Sequence, residues 1–152
     1  MEHAELHDTI GSLLRDKGSE IWRVSTNTLV YDAIALMAEK KIGALLVIDD
    51  GNLVGILSER DYARKVTLQG KSSKQTLVRE IMSSPVIHVS SMNTVGDCMS
   101  IMTDHRIRHI PVVDEGKVVG VLSIGDIVKW IITAQQETIT QLHGYITGRY
   151  PG

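Results

Sequence analysis

The sequence lacks phenylalanine, has one cysteine and three prolines in 152 residues, and carries a net charge of only −2 at neutral pH. The single cysteine, Cys98, cannot form an internal disulfide, so nothing in the composition indicates an oxidising compartment. A charge this small, with a pI near 6.3, gives no overall attraction to nucleic acid or to anionic lipid. The missing phenylalanine leaves the core to Val, Ile, Leu and Met.

Long hydrophobic runs are absent as well, and none approaches the ~20 residues that a membrane-spanning helix needs. The first residues, MEHAE, are acidic where a signal peptide would be basic. We therefore expect a soluble, cytoplasmic protein with no membrane partner. The 43% hydrophobic content is enough to bury one sizeable core or two small fused cores.

The chain does contain an internal repeat. The stretch VGILSERD at 54–61 returns as VGVLSIGD at 119–126, an offset of 119 − 54 = 65 positions. The same offset, without a gap, carries Asp32 onto Asp97 and Met37 onto Met102. Residues 22–66 and 87–131 are therefore two copies of one structural unit.

Each copy predicts the order strand, helix, strand, strand, helix. The first strands are expected near residues 21–24 and 86–89, and Thr28 and Asn93 are the expected caps of the helices that follow. Apolar runs then predict buried strands, joined to the next strands by tight turns at Asp-Gly and Glu-Gly. These strands are expected at 44–48, 53–57, 110–113 and 118–122, and the second helices at 59–68 and from 124 onward.

Half a sheet with two helices cannot cover its own apolar face, so the copies are expected to pack sheet to sheet as a pseudo-twofold pair in an α+β fold. A polar linker follows the first repeat, with Thr76 as the expected cap at its end. The predicted segments are an N-terminal helix and lead-in (1–20), repeat 1 (21–68), the linker (69–84), repeat 2 (85–132) and a C-terminal helix extension and tail (133–152).

The last helix is expected to continue to about Ile146, because apolar residues recur at steps of three and four. The pattern leaves two alternatives open: the stripe folds back onto its own domain, or it packs against another subunit. Its members are Val128, Ile131, Gln135, Ile139, Leu142 and Ile146.

Both copies end in Gly-apolar-apolar-Ser-x-x-Asp, which has two interpretations. In one, the Ser and the Asp form a capping box at the start of a helix. In the other, the Asp accepts hydrogen bonds from the vicinal hydroxyls of a sugar, and the Ser and the helix start face an anion. A cap alone would accept Thr or Asn and Glu freely, so the identical residues in both copies favour a ligand.

These features resemble a tandem CBS domain pair, also called a Bateman module. The resemblance covers nearly the whole chain, and it is closest to the stand-alone single-pair CBS proteins of bacteria, which have organellar relatives in plants. It rests on the repeat, the hairpin turns and the stretches IGAL at 42–45, SERDY at 58–62, GKSS at 70–73, MTDHR at 102–106, HIPVVD at 109–114 and SIGD at 123–126.

The resemblance implies two adenosine-binding clefts, each built from both copies. In the first, Ser58 and Arg60 would contact phosphate and Asp61 the ribose. In the second, Ser123 and Asp126 would take these roles, with Gly125 in place of the arginine. The remaining residues implied are Pro85, Ile87, Arg106, Ile107, His109 and Pro111 for the first site and Ile21, Trp22, Lys41, Ile42 and Ala44 for the second.

The function implied is that of a regulatory, homodimeric sensor of AMP, ADP or ATP that signals to an unknown partner protein. Because Arg60 and Arg106 belong to the first site, we expect that site to prefer the more highly charged phosphate group. The alternatives are an NAD(H) or S-adenosylmethionine sensor and a ligand-independent dimeric scaffold. An enzyme is not expected, because neither motif contains a His or Cys and no metal-ligand cluster is visible. Nucleic-acid binding is disfavoured by the acidic pI.

Overall fold

The computed structural model describes residues 4–18 and 20–146, and this part of the chain has an α+β fold. Residues 1–3 and 19 and the tail beyond 146, which belong to the predicted terminal segments, lie outside the described residues. In chain order the elements are α1 (Ala4–His7), α2 (Ile10–Lys17), β1 (Arg23–Val24), α3 (Val30–Lys40), β2 (Ala44–Asp49), β3 (Asn52–Ser58), α4 (Glu59–Tyr62), a π-helical turn (Ala63–Thr67), α5 (Val78–Ile81), α6 (Val95–His105), β4 (His109–Asp114), β5 (Lys117–Ser123) and α7 (Ile124–Ile146).

The strands form two sheets, each containing one of the predicted hairpins. In the first sheet β1 pairs parallel to β2, and β2 pairs antiparallel to β3. The second sheet consists of β4 and β5. Both hairpin turns use two residues with positive φ, at 49° and 78° for Asp50 and Gly51 and at 50° and 77° for Glu115 and Gly116. Two left-handed residues in succession suit a tight hairpin, because their twist matches that of the strands.

The chain divides into two compact units. Unit 1 contains Met1–Ser19, Val89–Ile110 and Leu122–Gly152, and unit 2 contains Glu20–His88 and Pro111–Val121. The N-terminal helices therefore group with α6 and α7 of the second repeat, whereas most of the second hairpin, Pro111–Val121, belongs to the same unit as the first repeat.

Unit 2 has a continuous apolar core between α3 and the first sheet. Trp22, Ile34, Ile42 and Tyr62 are partly buried against it. Burying such side chains stabilises a fold by roughly 1.5–3 kcal/mol each. The fully buried members are Val30, Ala33, Met37, Leu45, Val47, Leu57, Val66, Val78 and Ile81.

Unit 1 buries one face of α2 together with α6 and the start of α7. Cys98 of α6 belongs to this buried set, and burial, followed by the charge of Asp97, raises the pKa of its thiol to about 11. Cys98 is therefore a core residue. The other buried apolar residues of the unit are Ile10, Leu13, Leu14, Val89, Val95, Met102, Ile110, Leu122 and Ile127.

The predicted strand at 86–89 is wrong. The structure has no strand there among the described residues, and only an isolated bridge at Val89 interrupts the extended segment. The segment follows a cis Ser84–Pro85 bond. A proline cannot donate a backbone hydrogen bond, which weakens pairing at the start of this segment.

The predicted helix caps are also wrong. α6 is capped by Thr94, whose side chain accepts a hydrogen bond from the Asp97 N–H, whereas Asn93 accepts one from Ser90. The equivalent position before α3 is Leu29, which makes no side-chain cap bond. Thr28 accepts instead from the Ser25 N–H, one turn earlier.

The region after the first repeat differs from its prediction in two ways. The helix expected at 59–68 is α-helical only to Tyr62 and then widens, so that the Leu68 N–H bonds the Ala63 carbonyl five residues back. Thr76 does not cap a helix, because its hydroxyl donates to the Ser72 carbonyl. The short helix α5 lies inside the segment expected as a linker.

The long C-terminal helix is confirmed, because α7 continues through Ile146, the last residue that the structure describes. Its apolar stripe is exposed: Val128 is 46% exposed, Ile132 51%, Ile139 59% and Leu142 58%. The described chain therefore does not fold over this face of α7. Ile132 belongs to the exposed stripe in place of Ile131, which is half-buried.

Candidate functional site

The first Ser-x-x-Asp motif lies where β3 ends and α4 begins. The Asp61 N–H donates to Ser58 Oγ (3.1 Å), and the Ser58 N–H donates to Asp61 Oδ2 (3.0 Å). This reciprocal pair is a capping box. The Ser58 hydroxyl also donates to Asp61 Oδ2 (3.0 Å). The capping interpretation of this motif is confirmed, and it leaves the ligand interpretation open.

Two further residues bind the other oxygen of Asp61. Ser83 Oγ donates to Oδ1 (3.1 Å), and Lys65 Nζ lies 3.1 Å from the same atom. Lys65 also donates to the Ile81 carbonyl (3.0 Å). Asp61 is consequently only 8% exposed, with both oxygens bonded. Neither Ser83 nor Lys65 was expected from the sequence at this site, although Lys65 follows Asp61 at the i+4 spacing of helical ion pairs.

Ser83 reaches Asp61 because the chain before it packs tightly on β3. Ser83 exchanges backbone hydrogen bonds with Ile56, at 2.9 and 3.1 Å. A Cβ on Gly55 would lie 2.6 Å from the Met82 Sδ and 3.2 Å from the Ser83 carbonyl oxygen. Glycine at position 55 therefore permits this close approach.

The second motif lies where β5 ends and α7 begins. The Asp126 N–H donates to Ser123 Oγ (3.1 Å), and the Ser123 N–H donates to Asp126 Oδ2 (2.8 Å). The same oxygen lies 2.8 Å from Lys17 Nζ, at the end of α2. The side chains of Lys17 and Asp126 are 35% and 23% exposed, so this ion pair is more open to solvent than the bonds at Asp61.

The surroundings of Asp126 change its acidity. Partial burial raises the pKa of the carboxyl, but the hydrogen bond from Lys17, those from Ser123 and the positive charge of Lys17 together lower it below the ordinary value. Asp126 therefore stays ionised at neutral pH, with Lys17 as its counter-ion.

Asp126 lines a groove between α2 and α7, here called the α2–α7 groove, which has a volume of about 370 Å³. Trp130 forms part of its wall and donates from its indole nitrogen to Asp8 Oδ2 (2.9 Å). The groove is mostly charged, with acidic and basic side chains on both helices. Its lining residues are Asp8, Leu13, Asp16, Lys17, Asp126, Lys129, Trp130, Thr133, Ala134 and Glu137.

The structure brings Ser58 to Asp61 and Ser123 to Asp126 within the two units. The other residues expected at the sites are distributed over both units. Unit 2 holds Arg60, Pro85, Ile87 and Pro111 of the first set and Ile21, Trp22, Lys41, Ile42 and Ala44 of the second, while unit 1 holds Arg106, Ile107 and His109 of the first and Gly125 of the second.

Lys41 and Arg106 occupy equivalent places in the repeat, at the ends of α3 and α6. Both have left-handed backbones, with φ of 56° and 54°, and both close their helix through a backbone N–H. Both side chains are exposed. A positive charge at a helix C-terminus is stabilised by the helix dipole, so each residue has a structural role whether or not it meets phosphate.

Trp22 was expected as a core residue, as an adenine platform, or as both. It packs against the core of unit 2, so the first role is confirmed. The Lys40 ammonium lies 4.3 Å from the centre of its ring. One ring face is therefore occupied by a cation.

Two classes of site are missing from the part of the chain that the structure describes. Within residues 4–18 and 20–146, no three His, Cys, Asp or Glu side chains come together as a group that could hold a metal ion. None of the helices described is both long enough and apolar enough to cross a membrane.

Comparison with known proteins gives one family. The model of the CBS domain matches residues 19–67 and 78–133. Among curated proteins, the chain is similar to the mitochondrial CBS domain-containing protein CBSX3 of Arabidopsis thaliana, with 40% identity over 152 residues, covering 93% of this chain and 73% of that protein.

Solved structures agree with this assignment. A candidate signal-transduction protein with CBS domains from Burkholderia ambifaria is 52% identical, with a TM-score of 0.80 over 82% of this chain and 94% of that one. The CBS domain pair of protein MJ0100 is 27% identical, with a TM-score of 0.71 over 80% of this chain and 93% of that one. The structure of that pair contains 5′-methylthioadenosine and S-adenosyl-L-methionine.

Proposed function

The chain belongs to the CBS-domain family of regulatory modules, and from that premise we propose that it is a non-catalytic sensor that binds an adenosyl compound and signals its presence to a partner protein. We propose AMP, ADP or ATP as the ligand, with NAD(H) or S-adenosylmethionine as the alternative. The complex of the MJ0100 domain pair with two adenosyl compounds supports this chemical class.

One observation within the chain carries the proposal. The cap of the first helix in each repeat is not the same in the two copies. Thr94 caps α6, but the equivalent position before α3 (94 − 65 = 29) is Leu29, which makes no side-chain cap bond. Ser58 and Ser123, by contrast, are both serine and are both followed by Asp. Retention of the same two residues at both junctions supports a role beyond capping.

The chemistry of the motif suits an adenosyl ligand. A carboxylate accepts two hydrogen bonds and so matches the vicinal hydroxyls of a ribose. We propose Asp61 and Asp126 as the ribose contacts and Arg60 as a phosphate contact of the first site. The second motif has Gly125 at the position of Arg60, so a triphosphate is expected to favour the first site. The other proposed contacts are those implied by the family resemblance.

The bonds of the two carboxylates support a binding role over a catalytic one. Asp61 is bonded by two serines and a lysine, and Asp126 by one serine and a lysine. These partners engage each carboxylate as a hydrogen-bond acceptor. Activation of a nucleophile or water needs a group that can take up a proton near neutral pH, such as histidine.

We propose the cytoplasm as the location of the protein.

Calorimetric titration tests the proposal. Protein freed of ligand is titrated with AMP, ATP, NADH and S-adenosylmethionine, and the titrations are repeated with Asp61→Ala and Asp126→Ala. We expect saturable binding of at least one compound, reduced in each variant by loss of one site, and no turnover of that compound. Absence of binding with all four compounds would contradict the proposal and leave both motifs as helix caps.

The exposed stripe of α7 supports a homodimer as part of this proposal. Val128, Ile132, Ile139 and Leu142 recur at the spacing of a helix–helix seam, and all are exposed. The matched variants are Ile139→Glu, on the stripe, and Thr140→Glu, one position beside it. Light scattering should find the wild type and Thr140→Glu dimeric and Ile139→Glu monomeric. A monomeric wild type contradicts the dimer.

A further inference from the structure

The two Asp residues differ in where their counter-ion comes from. Lys65, which pairs with Asp61, lies in the π-helical turn that directly continues α4, the helix that contains Asp61. Lys17, which pairs with Asp126, is the last residue of α2, in a part of the chain that precedes both repeats. The Asp126 pair therefore joins two segments that are far apart in sequence, whereas the Asp61 pair lies within one stretch of helix.

The repeat explains this difference. The position equivalent to Lys65 in the second repeat is 65 + 65 = 130, where the chain has Trp130, which bonds Asp8. A tryptophan cannot neutralise Asp126. The position equivalent to Lys17 is 17 + 65 = 82, where the chain has Met82, which packs against Gly55. The first motif therefore has its lysine on the helix that follows it, and the second motif has its lysine in the segment that precedes the repeats. Apolar residues stand at the two corresponding positions.

The restraint on α2 is unevenly distributed along the helix. Its first half is firmly anchored: Ile10 and Gly11 donate backbone hydrogen bonds to Asn93 and Ser91, and Leu13 is buried. Leu14, at the start of the last turn, is buried as well, but the residues after it are exposed, and Lys17 pairs there with Asp126 of α7. Gly18 then continues the chain at φ 99°, a conformation that suits glycine alone.

We propose that Lys17 is a ligand-displaced latch: it occupies Asp126 in the ligand-free protein, and a ribose that binds Asp126 releases it and frees the last turn of α2. This inference rests on the proposed function and adds its regulation, because it couples the second site alone to the lead-in of the chain. Coupling is reciprocal, so removing the latch must raise the affinity of Asp126 for the ligand by the factor that the latch costs.

The test uses 5′-methylthioadenosine, which has vicinal ribose hydroxyls and no phosphate. A charge effect of Lys17 on phosphate therefore cannot disguise the competition. All proteins in this test carry Asp61→Asn, which removes the first carboxylate's charge and keeps an acceptor for Ser58. The protein with this substitution alone is the parent. Lys17→Met is compared with Lys17→Arg, which keeps the ion pair, and with Lys129→Met, which removes a positive charge from the same α2–α7 groove.

We expect Lys17→Met to bind about two- to fivefold more tightly than the parent, the range for one partly exposed ion pair, and the other two variants to bind as the parent does. Hydrogen exchange at the Gly18 amide, which bonds the Leu14 carbonyl at 2.8 Å, gives a second readout. It should accelerate when 5′-methylthioadenosine is added to the parent, and it should already be fast in Lys17→Met without ligand.

Weaker or unchanged binding by Lys17→Met overturns the latch, as does an equal gain in Lys129→Met. Unchanged Gly18 exchange in ligand-free Lys17→Met overturns it as well, because the ion pair then restrains nothing. If neither the wild type nor Lys17→Met binds this compound or any of the four titrated above, the proposed function fails. Fast Gly18 exchange in Lys17→Met would still establish the ion pair as the restraint on α2.

Discussion

The Ser-x-x-Asp motif occurs once in each repeat, and the residues that surround it differ between the two copies. Asp61 is buried under bonds from its own helical segment and from Ser83, whereas Asp126 borders an open groove and is paired with Lys17. One carboxylate is fixed by neighbours close to it in unit 2, and the other by a residue 126 − 17 = 109 positions away in sequence. The two motifs therefore form the same capping hydrogen bonds, but different neighbours restrain their carboxylates.

The largest expected effect is the difference in stability between removing the two carboxylates. Asp61→Ala leaves Ser58, Ser83 and Lys65 without their acceptor in a buried place, so it should lower the free energy of unfolding by about 2–3 kcal/mol. Asp126→Ala removes a cap and a partly exposed ion pair and should cost about 1 kcal/mol. Urea denaturation measures both. Equal losses would remove the contrast between the sites.

Acid should weaken the Asp126 pair in a defined range. Because the pKa of Asp126 is lowered in the folded protein, its stabilising effect is fully present above the ordinary carboxyl pKa and disappears as pH falls through the lower folded value. Lys17→Met should therefore cost about 0.5 kcal/mol at pH 7, a value reduced for solvent screening, and nothing well below about pH 4.

The comparison of wild type with Lys17→Met at each pH contains its own control. Other charged groups border Asp126 in the α2–α7 groove, namely Asp8, Asp16, Lys129 and Glu137, and all are unchanged between wild type and variant. The difference in unfolding free energy between the two proteins therefore isolates Lys17. A difference that stays constant from pH 7 to pH 3 would rule out Asp126 as the group responsible.

The smallest expected effect concerns Lys65. Its ion pair with Asp61 is half-exposed and of the i,i+4 kind, so Lys65→Met should lower the free energy of unfolding by only about 0.3 kcal/mol. Gly18 exchange should not change, because Lys65 does not belong to the lead-in. Faster Gly18 exchange in this variant would mean that α2 responds to general loosening of the protein and not to its own ion pair.

Much of the fold follows from local sequence. The hairpins, their glycine turns, the presence of α3 and α6 and the long α7 depend on residues within a few positions of each other, and the structure agrees with them. The caps were harder, because Thr28, Thr94 and Asn93 are all competent cap residues and only the backbone geometry selects among them. The strand expected at 86–89 failed because a strand requires a neighbour, which sequence spacing alone does not supply.

The candidate sites show the same division. The repeat identified Ser58, Asp61, Ser123 and Asp126, and the structure bonds them in pairs as the capping-box spacing requires. Ser83 had no recognisable signal, because its contact depends on the approach of its backbone to Gly55. Lys65 could have been found from its i+4 spacing to Asp61.

The sequence by itself determined the repeat, the two hairpins, the family and the two carboxylates, because each of these is recorded in short-range spacing or in the 65-residue offset. Only the tertiary structure decided that the N-terminal helices join the unit of the second repeat, that the apolar stripe of α7 is exposed, and that Lys17 faces Asp126. Those facts depend on which distant surfaces pack together, and a periodic pattern gives the face that a helix presents but not the partner that it meets.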